Sequence, residues 1–482
     1  MKHLNQRIRV PIDKDNPSIQ RIEDKCIKCG NCAKVCSEYC SVLSEYKIEH
    51  TKRGVCVNCG QCIMTCPVDS IVEKSSVYQV KSAIKNHKIV IVSTSPACRV
   101  SLGEAFGLKP GSLVEGKMVG LLKELGFTYV LDTNFGADVT IIEEANELLE
   151  RLNNNKLPMF SSCCPAWVKF VETFYPELIT NLSSCRSPIG MQGALIKTYF
   201  ARKMGIEPTD IVNVCLTPCV AKKMEILRPE QNKSSVVNDS PMRDMDYCIT
   251  TREVAEWAKD EGIDFNSLND GEFDRYMSTS SGSGAIFGKS GGVAEAVTRC
   301  LLEDKDKIRF KKTKSNPAIK TAKVEYKGNK LKIASVYGLN SVRQLLDEIK
   351  NGKSYDFVEV MACPGGCIGG GGQPKTNLQI LADESRRRGI NKKDEKSKVL
   401  CPQDNPEIKA LYKDYLKNPN SKLCKELLHT TFVDRSDVLK TKRKTEKLLY
   451  KCQICGNVFE VKSGVQPTCL KCGETKFIDL LD

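Results

Sequence analysis

Cysteines in tight groups are the residues of this sequence best placed to do chemistry. The chain contains 25 of them, many spaced as CxxCxxCxxxC, CxxC or CxxxC, where short-range disulfide bonds would be strained. Thiolates at such spacings can bind metal ions, and all four histidines lie outside the cysteine groups. This pattern disfavours mixed Cys/His zinc sites and favours iron–sulfur chemistry.

The N-terminal cysteines form two copies of one motif. The segments DKCIKCGNCAKVC and GVCVNCGQCIMTC both follow C-x2-C-x2-C-x3-C. This is the spacing of bacterial ferredoxins, in which the fourth cysteine of each run binds the cluster of the other run. The module is therefore predicted to hold two 4Fe-4S clusters that relay single electrons. The ligands of cluster one are then Cys26, Cys29, Cys32 and Cys66, and those of cluster two are Cys36, Cys56, Cys59 and Cys62.

Three further segments supply four more thiolates. They are FSSCCPAW (160–167), LTPCVAKKME (216–225) and EVMACPGGCIGGGGQP (359–374). The glycines of the third segment allow its backbone to approach a bulky inorganic group and to adopt positive φ angles. The four thiolates are enough for a third cubane, and they are Cys164, Cys219, Cys363 and Cys367.

Together the three segments resemble the signature motifs of the iron-only (FeFe) hydrogenases. The resemblance continues through LDTNFGADVTIIEEANELLERL, IFGKSGGVAEAV and the tail KELLHTTF, and it covers about residues 88–435. It implies reversible conversion of 2 H⁺ and 2 e⁻ into H₂ at an H-cluster. The resemblance also implies that Cys367 joins the third cubane to a diiron subcluster, which carries CO, cyanide and a bridging dithiolate. The resemblance further implies a ferredoxin-type electron carrier and maturation proteins that build and insert the diiron unit.

Cys163 and Cys164 are adjacent, and the resemblance gives them different roles. Cys164 is a cubane ligand, whereas Cys163 passes protons to the diiron site, a task that suits a small thiol. Glu144, Glu147 and Arg151 share one face of a predicted helix, at i, i+3 and i+7. They match the proton-path positions of the family, as does Ser183. A solvated, charged helix face is the alternative interpretation.

Other positions of the resemblance make up the pocket. Lys222 is expected to donate to a cyanide and Glu225 to orient Lys222. The second cyanide is expected beside Ser95 and Pro96, and the diiron site is expected to pack against Phe287 and Met361. The chain departs from the pattern at Thr217, where many members have methionine, and at Ile189-Gly190, where glutamines are often found.

A last cysteine group lies near the C-terminus. Two CxxCG knuckles resemble the short rubredoxin-like domain that ends rubrerythrins, and four thiolates in a tetrahedral array can hold iron or zinc. Both metals remain open for this site. Its ligands are Cys452, Cys455, Cys469 and Cys472. The eight cysteines without ligand spacing, Cys40 among them, are predicted to be small buried apolar side chains.

Alternating strands and helices must position these loops. Buried apolar runs that end in loops predict strands, and 3.6-residue patterns between them predict helices. The fold class is therefore α/β, a hydrogenase catalytic domain with parallel or mixed sheets flanked by helices. A small α+β ferredoxin-like domain precedes it and a small β-rich knuckle follows it. The predicted strands lie within 88–97, 127–135, 211–219 and 356–363, and the predicted helices within 140–155 and 293–304.

Composition changes along the chain predict its domain boundaries. We predict a polar lead at 1–22, the ferredoxin-like domain at 23–85 and the catalytic domain at 86–435. A lysine-rich linker of helical pattern at 436–448 then leads to the rubredoxin-like module at 449–482.

The bulk composition excludes several classes of protein. Hydrophobic residues make up 41% of the 482 residues, no apolar run reaches membrane-spanning length, and the N-terminus lacks the apolar core of a secretion signal. A cytoplasmic enzyme without nucleic-acid or membrane partners is expected, and the oligomeric state is left open. Two alternatives to an H₂-converting enzyme are an H₂-sensing homologue and a hydrogenase-like iron–sulfur assembly or electron-transfer protein.

Overall fold

Fourteen strands and seventeen α-helices form in the part of the chain that the structure, a computed structural model, describes. The described residues are 9–51, 53–86, 88–302, 308–440, 447–462, 467–469, 471–473 and 478–481. The strands are β1 (Ile19–Arg21), β2 (Ile71–Glu73), β3 (Ile89–Thr94), β4 (Tyr129–Asp132), β5 (Met159–Phe160), β6 (Ile211–Thr217), β7 (Tyr247–Thr250), β8 (Lys311–Lys312), β9 (Ile319–Tyr326), β10 (Asn329–Tyr337), β11 (Phe357–Met361), β12 (Lys447–Cys452), β13 (Val458–Lys462) and β14 (Ile478–Leu481). The helices are α1 (Asn31–Glu38), α2 (Gln61–Met64), α3 (Val77–Lys85), α4 (Glu115–Glu124), α5 (Thr133–Asn153), α6 (Pro165–Phe174), α7 (Pro188–Leu195), α8 (Ala201–Met204), α9 (Lys222–Glu225), α10 (Ser234–Asn238), α11 (Thr251–Asp260), α12 (Gly282–Ala285), α13 (Gly292–Leu301), α14 (Leu339–Lys350), α15 (Gln379–Lys396), α16 (Pro406–Leu411) and α17 (Lys422–Leu428).

The first of the two large sheets is wholly parallel. Its strand order is β4-β3-β6-β7, and its inner strands β3 and β6 are apolar and almost fully buried. The predicted strands within 88–97, 127–135 and 211–219 are confirmed here. Asp132 caps α5 by accepting a hydrogen bond from the Asn134 N–H at 2.9 Å, so the helix begins directly at the end of β4. The loops at this edge of the sheet carry polar and cysteine residues.

The second large sheet is mixed. Its order is β5-β11-β10-β9-β8, with parallel pairing of β11 to β5 and β10 and antiparallel pairing from β10 to β8. The turn between β9 and β10 is the residue pair Lys327-Gly328, both with positive φ, at 48° and 77°. Such a two-residue turn matches the twist of an antiparallel hairpin. Strand β11 is buried along its whole length and ends at Met361, two residues before Cys363.

The N-terminal cysteines lie on a small α+β arrangement. Strands β1 and β2 pair antiparallel, and helices α1 and α2 each follow a glycine in the left-handed conformation, Gly30 (φ 85°) and Gly60 (φ 76°). Strand β1 lies before residue 23 in the sequence. The predicted domain boundaries remain predictions. The first eight residues of the predicted lead lie outside the described residues.

The chain divides into two compact units. One contains Met1–Glu45 and Cys56–Ser436, and the other contains Tyr46–Val55 and Asp437–Asp482. In the second unit, β13, β12 and β14 form an antiparallel sheet. The helical pattern predicted for 436–448 is wrong at Lys447, where β12 begins, and 441–446 lie outside the described residues. Among the described helices, none is both long enough and apolar enough to cross a bilayer.

Candidate active site and iron–sulfur centres

A buried cavity lies at the carboxyl ends of β3, β6 and β11. Its cavity volume is about 70 Å³, and the space free of protein atoms amounts to about 710 Å³ when the part open to solvent is included. The loops that line it come from segments far apart in the sequence, because the strand ends of parallel sheets meet at one edge. Its lining includes Ser95, Pro96, Thr133, Cys163, Cys164, Ile189, Thr217, Cys219, Lys222, Phe287, Met361, Cys363 and Cys367. All of the pocket residues expected from the sequence line this cavity except Glu225, which contacts Lys222.

The four predicted cubane ligands of the body converge on this cavity. Cys164 caps α6, with Pro165 at the first helical position, whereas Cys219, Cys363 and Cys367 stand on loops after β6 and β11. Burial and, next, the nearby Cys164 thiolate raise the pKa of Cys367 to about 12. Four such buried thiols lose their protons together only when cations replace the protons. The donor set is all sulfur, and it fits an iron–sulfur cubane.

Two glycines show how closely the cysteine loop approaches its neighbours. A Cβ atom on Gly366, whose φ is 98°, would lie 2.6 Å from the backbone nitrogen of Ser290. A Cβ atom on Gly370 would lie 2.4 Å from the carbonyl oxygen of Pro218, the residue before Cys219. Glycine is therefore required at Gly366 to hold the third cysteine loop against the 289–290 backbone, and at Gly370 to hold it against the second cysteine loop.

Lys222 reaches into the cavity from the short helix α9. Its ammonium donates to Glu225 Oε2 at 2.7 Å and to the backbone oxygen of Cys163 at 3.2 Å. Ser187, at the start of α7, donates to the same Glu225 oxygen at 3.1 Å. Burial opposes the charge of Lys222, but the Glu225 carboxylate and the cysteine thiolates outweigh burial and raise its pKa. The site thus presents a fixed cation beside the cysteines, which could bind an anionic ligand of the metal.

The predicted proton-path residues lie on the inward face of α5. Glu144 and Glu147 are only 1% and 7% exposed, which is inconsistent with a solvated helix face. Glu147 accepts hydrogen bonds from the Ser183 hydroxyl at 2.9 Å and from Arg151 at 2.8 Å. Arg151 also donates to the backbone oxygens of Thr180 and Leu182, at 3.0 and 2.6 Å. The structure therefore joins Ser183, Glu147 and Arg151 in one hydrogen-bonded set.

The two glutamates of this set have opposite pKa shifts. Burial and, next, the Glu147 charge raise the pKa of Glu144 to about 8, against the opposing effect of a Ser183 hydrogen bond. Burial also acts to raise the pKa of Glu147, but the Arg151 charge and the Ser184 N–H outweigh it and lower the pKa. Near neutral pH, Glu144 is then protonated and Glu147 ionised. Neighbouring carboxyls with separated pKa values are typical of groups that exchange protons.

Cys163 lies between Glu144 and the cavity. Burial raises the pKa of its thiol well above the ordinary value, the charges of Glu144 and Cys164 raise it further, and Lys222 opposes the rise. The neutral thiol is therefore the resting form. One oxygen of the Glu144 carboxyl, Oε2, is buried and has no hydrogen-bond partner among the described residues.

Three residues around Glu147 were not singled out by the sequence. The Ser184 N–H donates to Glu147 at 3.0 Å, and the Cys185 thiol donates to it at 3.5 Å. His429, from the tail, accepts or donates a 2.7 Å hydrogen bond with the Ser184 hydroxyl, depending on its tautomer. His429 lies on the other side against the fully buried Glu143, at 3.3 Å. In the sequence, His429 appeared only as part of the tail segment KELLHTTF, and no pattern linked it to Ser184.

The N-terminal cysteines were predicted to form two ligand sets, and that assignment remains a prediction. A pocket that measures about 320 Å³, including the part open to solvent, brings together Cys26, Cys29, Cys32 and Cys66, the residues predicted for cluster one. In the other set, burial and the charges of Cys59 and Cys56 raise the pKa of Cys36 and that of Cys62 well above the ordinary value. The backbone oxygen of Cys59 lies 4.0 Å from the Cys363 sulfur, so the second set adjoins the cysteines of the body.

The C-terminal cysteines form a compact sulfur site in the second unit. The sulfur atoms of Cys452 and Cys472 are 3.6 Å apart, those of Cys455 and Cys469 are 3.5 Å apart, and all four lie within 4.8 Å of one another. Each knuckle is closed by a backbone hydrogen bond from its glycine, as from Gly456 to Cys452 at 2.8 Å. Four sulfurs at this spacing could bind one Fe or Zn ion.

We expect the double variant Cys455→Ser/Cys472→Ser to lose one metal atom per chain, because two of four thiolates are removed from the site. Elemental analysis of the full-length protein would identify the atom as iron or zinc by difference from the unsubstituted chain. Sulfide content should stay the same, since a mononuclear site contains none. An unchanged metal content would contradict a metal role for this sulfur site.

Cysteines gathered at the carboxyl edge of parallel strands, with a module of further cysteines beside them, define an iron–sulfur oxidoreductase. Comparison with protein families gives the class more closely. Residues 88–371 match the family described as iron only hydrogenase large subunit, C-terminal domain, and residues 382–435 match the iron hydrogenase small subunit. The chain belongs to the iron-only (FeFe) hydrogenase family, whose members carry iron–sulfur clusters and an H-cluster.

Similar proteins agree with this membership. The periplasmic Fe hydrogenase large subunit of Nitratidesulfovibrio vulgaris is 43% identical over 78% of this chain and 91% of its own length. The NADP-reducing hydrogenase subunit HndD of Solidesulfovibrio fructosivorans is 40% identical over 87% of this chain and 75% of its own. The solved structure of an apo FeFe-hydrogenase HydA1 variant from Chlamydomonas reinhardtii superposes with a TM-score of 0.67 at 35% identity, covering 75% of this chain and 99% of that one.

A second group of relatives has a different printed function. A cytosolic Fe-S cluster assembly factor of Danio rerio is 32% identical over 72% of this chain and 86% of its own length. Overall similarity therefore includes both hydrogenases and assembly factors. The residues around the cavity must distinguish the two functions.

Proposed function

We propose that the chain is an FeFe hydrogenase that interconverts 2 H⁺ and 2 e⁻ with H₂. The proposal rests on one observation: a thiol that the cubane does not need, Cys163, lines the cavity of the four cysteine ligands and adjoins a buried set of carboxyls. When bound, the diiron subcluster would supply the metal site for H₂ chemistry, held by Cys367 and contacted by Lys222, Ser95 and Pro96. Phe287 and Met361 would exclude water from it.

The residues of α5 would carry protons between Cys163 and solvent. Cys163 exchanges a proton at the cavity, and Glu144 is the next group towards the surface. Ser183 joins Glu144 to Glu147, to which it donates at 2.9 Å. Arg151 fixes the Glu147 carboxylate and contacts the carbonyl oxygens of the 180–182 turn. Each transfer moves one proton between neighbouring groups, so protons reach solvent without any side chain moving across the protein.

Electrons would follow the two N-terminal clusters into the body. Cys29 of cluster one is exposed, beside Ile27, which is 61% exposed, so a ferredoxin-type carrier could approach this end. Cluster two adjoins Cys363 through Cys59. We infer three 4Fe-4S clusters, with the diiron subcluster supplied by maturation proteins, and one Fe or Zn in the C-terminal site. A cytoplasmic location is part of the proposal.

The pKa of Glu144 gives a pH prediction. In the fully matured enzyme we expect the C=O stretch of the protonated Glu144 carboxyl to disappear as the pH rises through about 8. The cause is the raised pKa, which keeps the group neutral below that pH. Because the folded pKa lies above the unfolded one, the associated stabilisation is complete below the unfolded pKa and is lost as the pH rises through about 8. Infrared difference spectra of the unsubstituted protein and of Glu144→Gln, recorded across this pH range, would measure the loss of the C=O band. A band that titrates equally in Glu144→Gln would belong to another group.

Infrared spectroscopy of anaerobically matured protein tests the main proposal. We expect CO and cyanide stretches together with H₂ formation from a reduced one-electron donor. The stretches without turnover would favour the sensing alternative. Their absence after maturation, with the iron–sulfur clusters intact, would favour an assembly or electron-transfer protein, which needs neither Cys163 nor the α5 carboxyls.

A further inference from the structure

Cys40 contacts a predicted cluster ligand, although its spacing in the sequence gives it no role. Its sulfur lies 3.6 Å from the sulfur of Cys59, and the two residues are 2% and 9% exposed. Either thiol could be the donor in this pair. When Cys59 binds iron its sulfur has no proton, and then only Cys40 can donate. A buried S–H···S hydrogen bond to a cluster ligand follows.

The backbone around Cys40 holds the contact in place. Helix α1 ends at Glu38, and the Cys40 N–H donates to the Val35 oxygen at 2.9 Å. The next residue, Ser41, has a φ of 48°, which turns the chain sharply away from the helix. A non-glycine residue in this conformation costs about 1 kcal/mol or more, so the surrounding structure must impose it. The backbone on both sides of the Cys40 side chain is thus fixed where its sulfur contacts Cys59.

The contact lies where two cysteine sets adjoin. The backbone oxygen of Cys59 is 4.0 Å from the Cys363 sulfur of the body. The hydroxyl of Tyr39, the residue before Cys40, is buried and has no hydrogen-bond partner among the described residues. Burial raises the pKa of that hydroxyl well above its ordinary value, and the neighbouring Cys363 and Cys40 side chains act in the same direction. A second unused donor therefore faces the same junction.

We propose that Cys40 is a positioning residue whose thiol donates a hydrogen bond to the Cys59 thiolate and raises the reduction potential of cluster two. Reduction adds one electron, and hence one negative charge, to the cluster and its thiolates. A donor stabilises the reduced form more than the oxidised form, and hydrogen bonds to the sulfurs are among the determinants of cluster potentials. The inference rests on the proposed assignment of Cys36, Cys56, Cys59 and Cys62 to cluster two.

A higher potential at this position has a direct consequence for electron flow. With the Cys40 donor, cluster two would accept and retain an electron beside the body more readily than it would without that donor. The Cys40 hydrogen bond would therefore change how electrons distribute between the two clusters without any change in the cluster ligands.

Redox titration of the full-length protein with its iron–sulfur clusters, followed by electron paramagnetic resonance, tests the proposal. In Cys40→Ala we expect one one-electron step to move to lower potential by about fivefold in its equilibrium constant, or ~40 mV at 59 mV per tenfold. Cys40→Ser, which keeps an O–H donor, should stay near the unsubstituted value. The other steps are internal controls. Cys424→Ala, which removes a buried thiol that donates to the Asn418 oxygen, should move none of them.

Several outcomes would overturn the proposal. They are an unchanged titration in Cys40→Ala, an equal shift in Cys424→Ala, and equal shifts in the alanine and serine variants. Retention of cluster two in Cys59→Ala together with its loss in Cys40→Ala would make Cys40 a ligand instead. A protein whose N-terminal module shows only one cubane would contradict the cluster assignment itself, and the hydrogen-bond proposal with it.

Discussion

Replacing Cys163 by alanine should lower H₂ turnover by about 10²–10⁴-fold, the range expected for loss of a general acid–base group. The substitution leaves all four cubane ligands in place and removes only the thiol between the cavity and Glu144. The rate of H₂ formation and the rate of H₂ oxidation should fall together, because both directions need the same proton transfer. Assays of the matured protein with a reduced or an oxidised one-electron dye measure the two rates.

Infrared spectra separate this effect from loss of the metal site. We expect Cys163→Ala to retain the CO and cyanide stretches, whereas Cys164→Ala should lose them because a cubane ligand is absent. Cys215→Ala, a fully buried thiol on β6, is the matched control and should keep the activity. Full turnover in Cys163→Ala would show that protons reach the site by another route.

Replacing Glu172 by alanine should destabilise the protein by about 3–5 kcal/mol, the cost of leaving a buried charge without its partner. Glu172 lies at the end of α6 and is fully buried. It accepts two hydrogen bonds from Arg228, at 2.5 and 3.1 Å, and one from the Arg435 side chain at 2.9 Å. Without the carboxylate, Arg228, only 5% exposed, would keep a buried charge with a single nearby acid, Glu230.

The helix that begins after Cys164 is thereby tied to the tail, so the same substitution tests how the ligand loop is held. Chemical denaturation followed by circular dichroism measures the change. Glu172→Gln keeps the shape and some hydrogen bonds, and it should cost less than alanine. Lys203→Ala, which removes an exposed ion pair with Asp414, should change stability by no more than about 1 kcal/mol. Equal stability of the alanine variant and the unsubstituted chain would contradict a structural role for Glu172.

The buried strands could be predicted because their apolar runs and lengths are local signals. The segments that became β3, β6 and β11 end in cysteine or proline loops, and the structure places those ends together. A mixed sheet was among the expectations, but the antiparallel hairpin that makes the second sheet mixed was not predicted. The hairpin turns at Lys327-Gly328, where a lysine adopts positive φ, although asparagine or aspartate is more usual at that position. The pattern of β9 and β10 alone did not reveal the turn.

The residues of the candidate site that lie in sequence motifs could be predicted. Those that depend on contacts between distant parts of the chain could not. Every cysteine of the cavity stands in one of the three segments that resemble the family's signature motifs, so its chemistry was visible from the sequence. The contact of His429 with Ser184 joins residues 245 positions apart, and neither residue type is distinctive. Cys40 was assigned to the apolar core because a cysteine without ligand spacing gives no indication of which residue it contacts. Only the fold brings it to Cys59.

The contact between Gly60 and Gly371 limits which N-terminal cysteine modules could replace the one in this protein. A Cβ atom on Gly371 would lie 2.7 Å from the Cys59 oxygen, and one on Gly60 would lie 2.8 Å from a Val220 methyl. Backbone meets backbone there with no room for any side chain. A foreign electron-relay module grafted onto this enzyme must therefore bring its own matching glycine, and libraries that exchange such modules should recover that residue before any other.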